Sequence, residues 1–144
     1  MIRKAVFLAL SAVLLPHVAI ADVRHESIPK AYRGTWVPGA ANCSEIKSLI
    51  VLSAKRYVSP DASCDVEYVS EIAGEHGAIY SARLQCTSRA GQTGKRTIAN
   101  LIIRPGDAGR VSLGPRFESL KVYQRCSASR SRRALDSVLE RLLA

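Results

Sequence analysis

Between residues 47 and 126, apolar and polar side chains alternate in short runs. A period of two is typical of half-buried β-strands, whereas an amphipathic helix repeats every three to four residues. The stretches SPDAS, GEHG, SRAGQTG and RPGDAG interrupt the runs with residues that favour turns. The chain is therefore predicted to be mainly β and antiparallel, with strands at residues 47–59, 64–72, 78–87, 96–104, 110–114 and 117–126.

The second and third of these strands can be paired as a hairpin around GEHG. Placing Cys64 opposite Cys86 sets Val66 against Leu84 and collects apolar side chains on one face, whereas a shift by one residue would mix the two faces. The other pairs in this register are Tyr68–Ala82, Ser70–Tyr80 and Ile72–Ala78 on the same face, and Asp65–Gln85 and Glu67–Arg83 on the opposite face.

The four cysteines predict two disulfides, for which three pairings are possible. If Cys64 bonds to Cys86, as the hairpin register favours, Cys43 remains for Cys126. Cys126 has the same parity as Val122, so it is predicted to point inward. A bond between the first and last segments suits a sheet that closes on itself. The chain has no C-x-x-C pair, and a zinc site is not expected.

The N-terminus has the three-part pattern of a secretory signal peptide in residues 1–21: Arg3 and Lys4, an apolar run, and the small-residue site Ala19-Ile20-Ala21. The apolar run is shorter than the roughly 20 residues that cross a bilayer, so a retained anchor is the less favoured alternative. We expect a single periplasmic or secreted domain after cleavage, with no transmembrane segment. Disulfides are stable in such oxidising compartments.

The C-terminal residues 127–144 change to a helical period, with leucines and other apolar residues on one face. This predicts an added amphipathic helix that docks on the barrel, on a partner or on an anionic membrane surface. Arg130, Arg132 and Arg133 are the candidate partner-binding residues. The chain has a formal charge of +9 at pH 7, which suits anionic partners. Nucleic acid is disfavoured because of the export signal and the few aromatic residues.

The tripeptide Gly34-Thr35-Trp36 resembles the start of the first strand in lipocalin-like (calycin) β-barrels. The resemblance implies a small antiparallel barrel over residues 34–126, in which Trp36 plugs the closed end. It also implies that a basic residue from the last strand, Arg125 or Lys121, packs on the tryptophan. With Ile28-Pro29, the same tripeptide is most similar to small exported bacterial G-x-W proteins of unknown function.

Periplasmic metalloprotease inhibitors are similar in the order of Gly34, Trp36, Cys43 and the LIVL run at residues 49–52. In that family an N-terminal trunk enters the protease cleft. The resemblance implies that residues 22–33 form a trunk here and that residues 22–30 are its inserting part. The chain departs from the family in having four cysteines and the predicted C-terminal helix.

Catalytic chemistry finds little support in the sequence. After residue 21 only His25, in the trunk, and His76, at a hairpin tip, are histidines, and both are expected to be mobile and solvated. Asp65, Glu67 and Glu71 share a strand face that alternation directs outward. No nucleophile, metal or phosphate-loop motif occurs. We therefore expect a non-enzymatic protein without cofactor or metal that binds a protein or small ligand of the cell envelope; the alternative is an inhibitor of a secreted metalloprotease or lysozyme.

Overall fold

A computed structural model describes residues 22–88 and 94–127 of the chain. The predicted signal peptide lies outside the described residues, as do Arg130, Arg132 and Arg133 and all but the first residue of the predicted helix. The described part contains the strands β1 Val23–His25, β2 Gly34–Pro38, β3 Ile50–Leu52, β4 Arg56–Val58, β5 Ala62–Ile72, β6 Ile79–Ser88, β7 Arg96–Pro105, β8 Arg110–Gly114 and β9 Lys121–Arg125.

Strands β2 to β9 form a closed, eight-stranded antiparallel barrel. Each strand pairs with the next along the chain, and β9 returns to pair with β2. β1 is an extra strand that pairs with the second half of β5. The prediction of a mainly β, antiparallel protein is thus confirmed, because the alternation supplies an inward apolar face on successive strands.

The barrel has two distinct ends. One end, called here the closed end, carries the start of β2, the connections 53–55, 73–78 and 106–109, and the segment that leads into β2. The other, called the open end, carries the connections 39–49, 59–61 and 115–120. Since neighbouring strands are antiparallel, these assignments follow directly from the chain order.

Two predicted strands differ from the structure by three residues or more at an end. Residues 47–59 form two strands, β3 and β4, because the chain reverses at 53–55, where the Ser53 amide donates to the Arg56 carbonyl at 2.9 Å. The last strand begins at Lys121 rather than at Phe117, since Phe117–Ser119 is a short 3-10 turn. The prediction began this strand at Phe117 because the residue is apolar, but its side chain is half-exposed in the structure.

The register of β5 and β6 agrees with the prediction only near the cysteines. Cys64 lies opposite Cys86 and Val66 opposite Leu84, but an irregularity between Val66 and Tyr68 then shifts the pairing by one residue. Beyond it Val69, instead of Tyr68, shares the buried face with Ala82, because a β-bulge places two residues of one strand against one of the other.

The main core lies inside the barrel and consists of inward side chains from β2, β3, β5, β6, β7 and β8, together with Ile28 from the preceding segment. Cys126 is also buried, but in a separate small cluster with Val37 and Cys43. Val37 and Trp36 lie on opposite faces of β2, so this cluster is on the outer side of the barrel. The predicted inward direction of Cys126 and Val122 is therefore wrong, and Val122 is 49% exposed.

Candidate functional site

A cavity of about 620 Å³ lies in the barrel interior and reaches the open end. Every barrel strand except β2 contributes to its lining. Strand alternation places most of these side chains on the inner face, and two of the open-end connections, 59–61 and 115–120, contribute to the mouth. The lining residues used below are Ile50, Tyr57, Asp61, Cys64, Leu84, Cys86, Ala99, Leu101, Leu113, Lys121 and Tyr123.

The cavity lining combines apolar side chains with two phenol groups and with the polar residues Ser59, Thr97, Asn100 and Ser119. Burial raises the pKa of Tyr57, and a side-chain hydrogen bond with Ser59 partly opposes that shift. Burial also raises the pKa of Tyr123, with the nearby Tyr57 as a second cause. Both hydroxyls are therefore protonated at neutral pH and can donate hydrogen bonds. Among residues 22–88 and 94–127, the charged side chains of the lining are Asp61 and Lys121.

The raised tyrosine pKa values predict a loss of stability in alkali. An unfolded phenol titrates near its ordinary pKa of 10.0, whereas the folded phenols hold their protons to higher pH. Above about pH 10 the unfolded state therefore binds fewer protons, and the free energy of unfolding must fall as pH rises. Urea unfolding between pH 8 and 11 measures this fall. Tyr57→Phe should make the fall shallower, and an unchanged pH dependence in that variant would contradict the prediction.

The structure pairs the cysteines as Cys43–Cys126 and Cys64–Cys86, with S–S distances of 2.11 and 2.00 Å. The second bond joins directly opposite residues of β5 and β6, and both of its cysteines line the cavity. The first lies outside the barrel and joins the β2–β3 connection to the residue after β9. These are the two disulfides that the hairpin register favoured in the sequence analysis.

The G-x-W residues lie at the closed end, away from the cavity. Trp36 is 2% exposed and is opposite Arg125 in the β2–β9 pairing. The Arg125 guanidinium lies over the indole, with Cζ 4.4 Å from the ring centroid. A Cβ built on Gly34, whose φ is +139°, would lie 2.7 Å from Arg125 Nη1, so a larger residue here would displace the guanidinium. Lys121, the other basic candidate, lines the cavity instead.

The same arginine fastens the chain that precedes β2. Arg125 donates hydrogen bonds to the carbonyl oxygens of Ala31 and Arg33. Trp36 Nε1 donates to the Tyr32 carbonyl at 2.9 Å. The indole and the guanidinium thereby satisfy three carbonyl groups of a segment that has no strand partner of its own, and the segment covers the closed end.

Residues 22–30 are folded against the barrel. β1 adds to β5, Ile28 is fully buried in the main core, and Lys55 Nζ donates to the Glu26 carbonyl. Arg33 Nε donates to the Ile28 carbonyl at 2.8 Å. Insertion of these residues into a protease cleft, which the hydrolase-inhibitor hypothesis invokes, would require β1 and Ile28 to leave these positions.

A polar cluster that the sequence did not indicate links β1 to the barrel. His25 Nε2 lies 2.5 Å from Glu71 Oε2. The His25 ring makes a tilted contact with Tyr80, and Tyr80 makes another with Tyr32. Burial, followed by the Glu71 charge, raises the pKa of Tyr80. The expectation that Glu71 faces outward is wrong, because the β5 bulge turns it to the same face as the buried Val69. His25 is opposite Val69 in the β1–β5 pairing and so lies on that face too.

The remaining candidate residues lie where alternation placed them. Asp65 and Glu67 face solvent, and Glu67 Oε2 accepts a hydrogen bond from Arg83 Nε at 3.0 Å. His76 is exposed in the β5–β6 connection. Within residues 22–88 and 94–127, no group of three or more His, Cys, Asp or Glu side chains is arranged to hold a metal ion.

The fold and the cavity define a small, disulfide-bonded antiparallel β-barrel with an interior pocket. The chain matches no protein-family model, and no curated protein or solved structure gives a match. In the part of the chain that the structure describes, no helix has the length and apolar character needed to cross a membrane.

Proposed function

We propose that the protein is an exported, non-enzymatic, lipocalin-like barrel that binds one small, mainly apolar ligand in its interior. The observation that carries the proposal is the cavity of about 620 Å³, which reaches the open end. This volume lies within the range of about 300–1,000 Å³ that is common for small-molecule sites. The main-core side chains Leu84, Leu101 and Leu113 form part of its walls.

The lining defines the chemistry of the ligand. Transfer of an apolar body from water to the leucine walls supplies the main driving force. Tyr57 and Tyr123 each carry a protonated hydroxyl, so a ligand with one or two hydrogen-bond acceptors fits better than a pure hydrocarbon. Lys121 and Asp61 can contact the part of the ligand that remains near solvent.

Export is part of the proposal because of residues 1–21 and the disulfides. Two disulfides are consistent with a periplasmic or extracellular location, where thiols are oxidised. They also compensate for the small core of a domain of this size. The envelope is therefore the compartment in which the ligand should be sought.

Filling the cavity is expected to abolish ligand binding without unfolding the barrel. Ala99 lines the cavity, and an indole at this position would occupy space that the ligand needs. We expect Ala99→Trp to weaken binding of the neutral fluorescent probe N-phenyl-1-naphthylamine by about tenfold or more, the effect of losing roughly 1.4 kcal/mol. Fluorescence titration of the purified chain measures this effect, and circular dichroism checks that the variant is folded.

The adjacent residue offers a matched control. Ile98 lies on the outer face of β7 and is 50% exposed, so Ile98→Trp adds the same indole outside the cavity. This variant should bind the probe as the unaltered chain does. Equal losses in the two variants, or no saturable binding by the unaltered chain, would refute an interior site.

A further inference from the structure

A second cleft, distinct from the interior cavity, lies on the outer surface of the barrel at the closed end. It has a volume of about 320 Å³ and lies between the β5–β6 connection and the β7–β8 loop. An adjoining recess of about 300 Å³ shares His76, Arg104 and Pro105 with it. Its lining includes His76, Arg104, Asp107, Arg110, Ser112 and Val122.

Two arginines face this cleft from neighbouring strands. Arg104 of β7 is directly opposite Ser112 of β8, and Arg110 precedes Ser112 by two residues on the same face. Diagonal positions of this kind are about 7–8 Å apart in an antiparallel pair, within reach of long side chains. Like charges at that spacing repel each other, so stability of the sheet does not account for the pair.

Neither guanidinium is neutralised in the described part of the chain. The ion pairs found there involve other arginines. Across β8, Arg110 is opposite Gln124 and Ser112 is opposite Val122, both of which are uncharged. Arg110 Nε donates to the Asp107 main-chain carbonyl at 3.3 Å, which leaves its two Nη groups for other acceptors.

The loop beside the arginines has an unusual backbone. Ala108 has φ +54° and is the single non-glycine residue with positive φ among residues 22–88 and 94–127. Such conformations cost free energy and are frequent at binding sites.

Carboxylates also border the cleft: Asp107 lines the cleft itself, and Glu75 lines the adjoining recess.

We propose that this cleft binds a phosphate group through Arg104 and Arg110. A planar guanidinium matches two phosphate oxygens, and two guanidiniums balance the charge of a phosphate dianion. His76 and the hydroxyl of Ser112 are further hydrogen-bond donors that line the same cleft. The bound phosphate also removes the repulsion between the two arginines. Asp107 and Glu75 oppose a second, larger anionic group and so restrict the ligand.

Titration with inorganic phosphate at constant ionic strength tests the site. In 15N-labelled full-length chain, the side-chain Nε–H signals of Arg104 and Arg110 should shift and saturate. Arg104→Gln and Arg110→Gln should each weaken binding by about tenfold or more, because each removes charge-assisted hydrogen bonds. Arg96→Gln is the matched control, since Arg96 is on β7 at the open end and its loss changes the net charge equally.

A second titration, with phosphatidylglycerol vesicles, distinguishes a lipid headgroup from a free phosphate as the ligand. Saturable binding of inorganic phosphate that is lost in Arg104→Gln supports the site with a soluble ligand. Vesicle binding without free phosphate binding, again lost in that variant alone, supports it with a lipid headgroup. Equal effects of Arg96→Gln and Arg104→Gln, equal shifts with acetate, or no saturable shift with either ligand would overturn the proposal.

Discussion

Replacing Trp36 by alanine is expected to lower the free energy of unfolding by about 3–5 kcal/mol, the usual cost of removing a large aromatic side chain from a core. The indole is 2% exposed and contacts the main core. Its loss also leaves the Tyr32 carbonyl without its donor and the Arg125 guanidinium without an aromatic partner. The closed end of the barrel should therefore loosen together with the segment that precedes β2.

Urea unfolding followed by far-ultraviolet circular dichroism is the suitable measurement, because Trp36 is the only tryptophan and its fluorescence disappears in the variant. Trp36→Phe is the matched control. It retains an aromatic ring for core packing and for Arg125 but lacks the Nε1 donor, so its loss should be about 0.5–1.5 kcal/mol from the hydrogen bond plus a modest packing cost. A loss below 1 kcal/mol for the alanine variant would contradict the assigned role in the core.

The strand pattern could be predicted because alternation is a local property. Five of the six predicted strands overlap a single strand in the structure, and the sixth contains β3 and β4. The break at 53–55 was missed because it contains neither glycine nor proline. β1 was not predicted, because it has three residues and its partner is the far half of β5. The start of β2 was predicted from the G-x-W resemblance and not from alternation.

The β5 bulge could not be predicted by matching the residues of β5 and β6 in a regular register. Alternation assumes an unbroken period, so it placed Tyr68 inward and Glu71 outward. The structure uses one extra residue to bury Val69 in place of Tyr68, and Arg24 Cζ lies over the Tyr68 ring, 4.6 Å from its centroid. The His25–Glu71 contact follows from this change, so it could not be read from the sequence.

The direction of Cys126 was mispredicted for a related reason. Parity was counted from Val122, which is apolar but half-exposed on the outer face. The predicted partner of Cys126, Cys43, was nevertheless correct. That prediction depended on pairing Cys64 with Cys86 and not on the face to which Cys126 points. The interior cavity and the outer cleft are products of several strands together, and no local pattern in the sequence indicates their volumes.

Removing the Cys43–Cys126 bond is expected to open the seam between β2 and β9. This seam has three register pairs, with flanking main-chain bonds from Gly39 to Val122 and from Cys126 to Thr35. Pro38 supplies no amide to it. The bond closes a loop of 83 residues in sequence separation, for which the chain-entropy relation gives about 4.5 kcal/mol of stabilisation. Cys43→Ala with Cys126→Ala should lose much of this stability.

The Cys64–Cys86 bond provides the matched control because it lies within a long pairing. β5 and β6 share ten register pairs, so this hairpin should remain paired in Cys64→Ala with Cys86→Ala, although the relation still gives a global loss of about 3.4 kcal/mol for its shorter loop. Hydrogen exchange distinguishes the two cases. Amides of Val37 and Gln124 should exchange faster than the global stability requires only when Cys43–Cys126 is removed. Equal protection of these amides in both variants would mean that the seam is held by its strands, and the outer disulfide would then act on the unfolded chain alone.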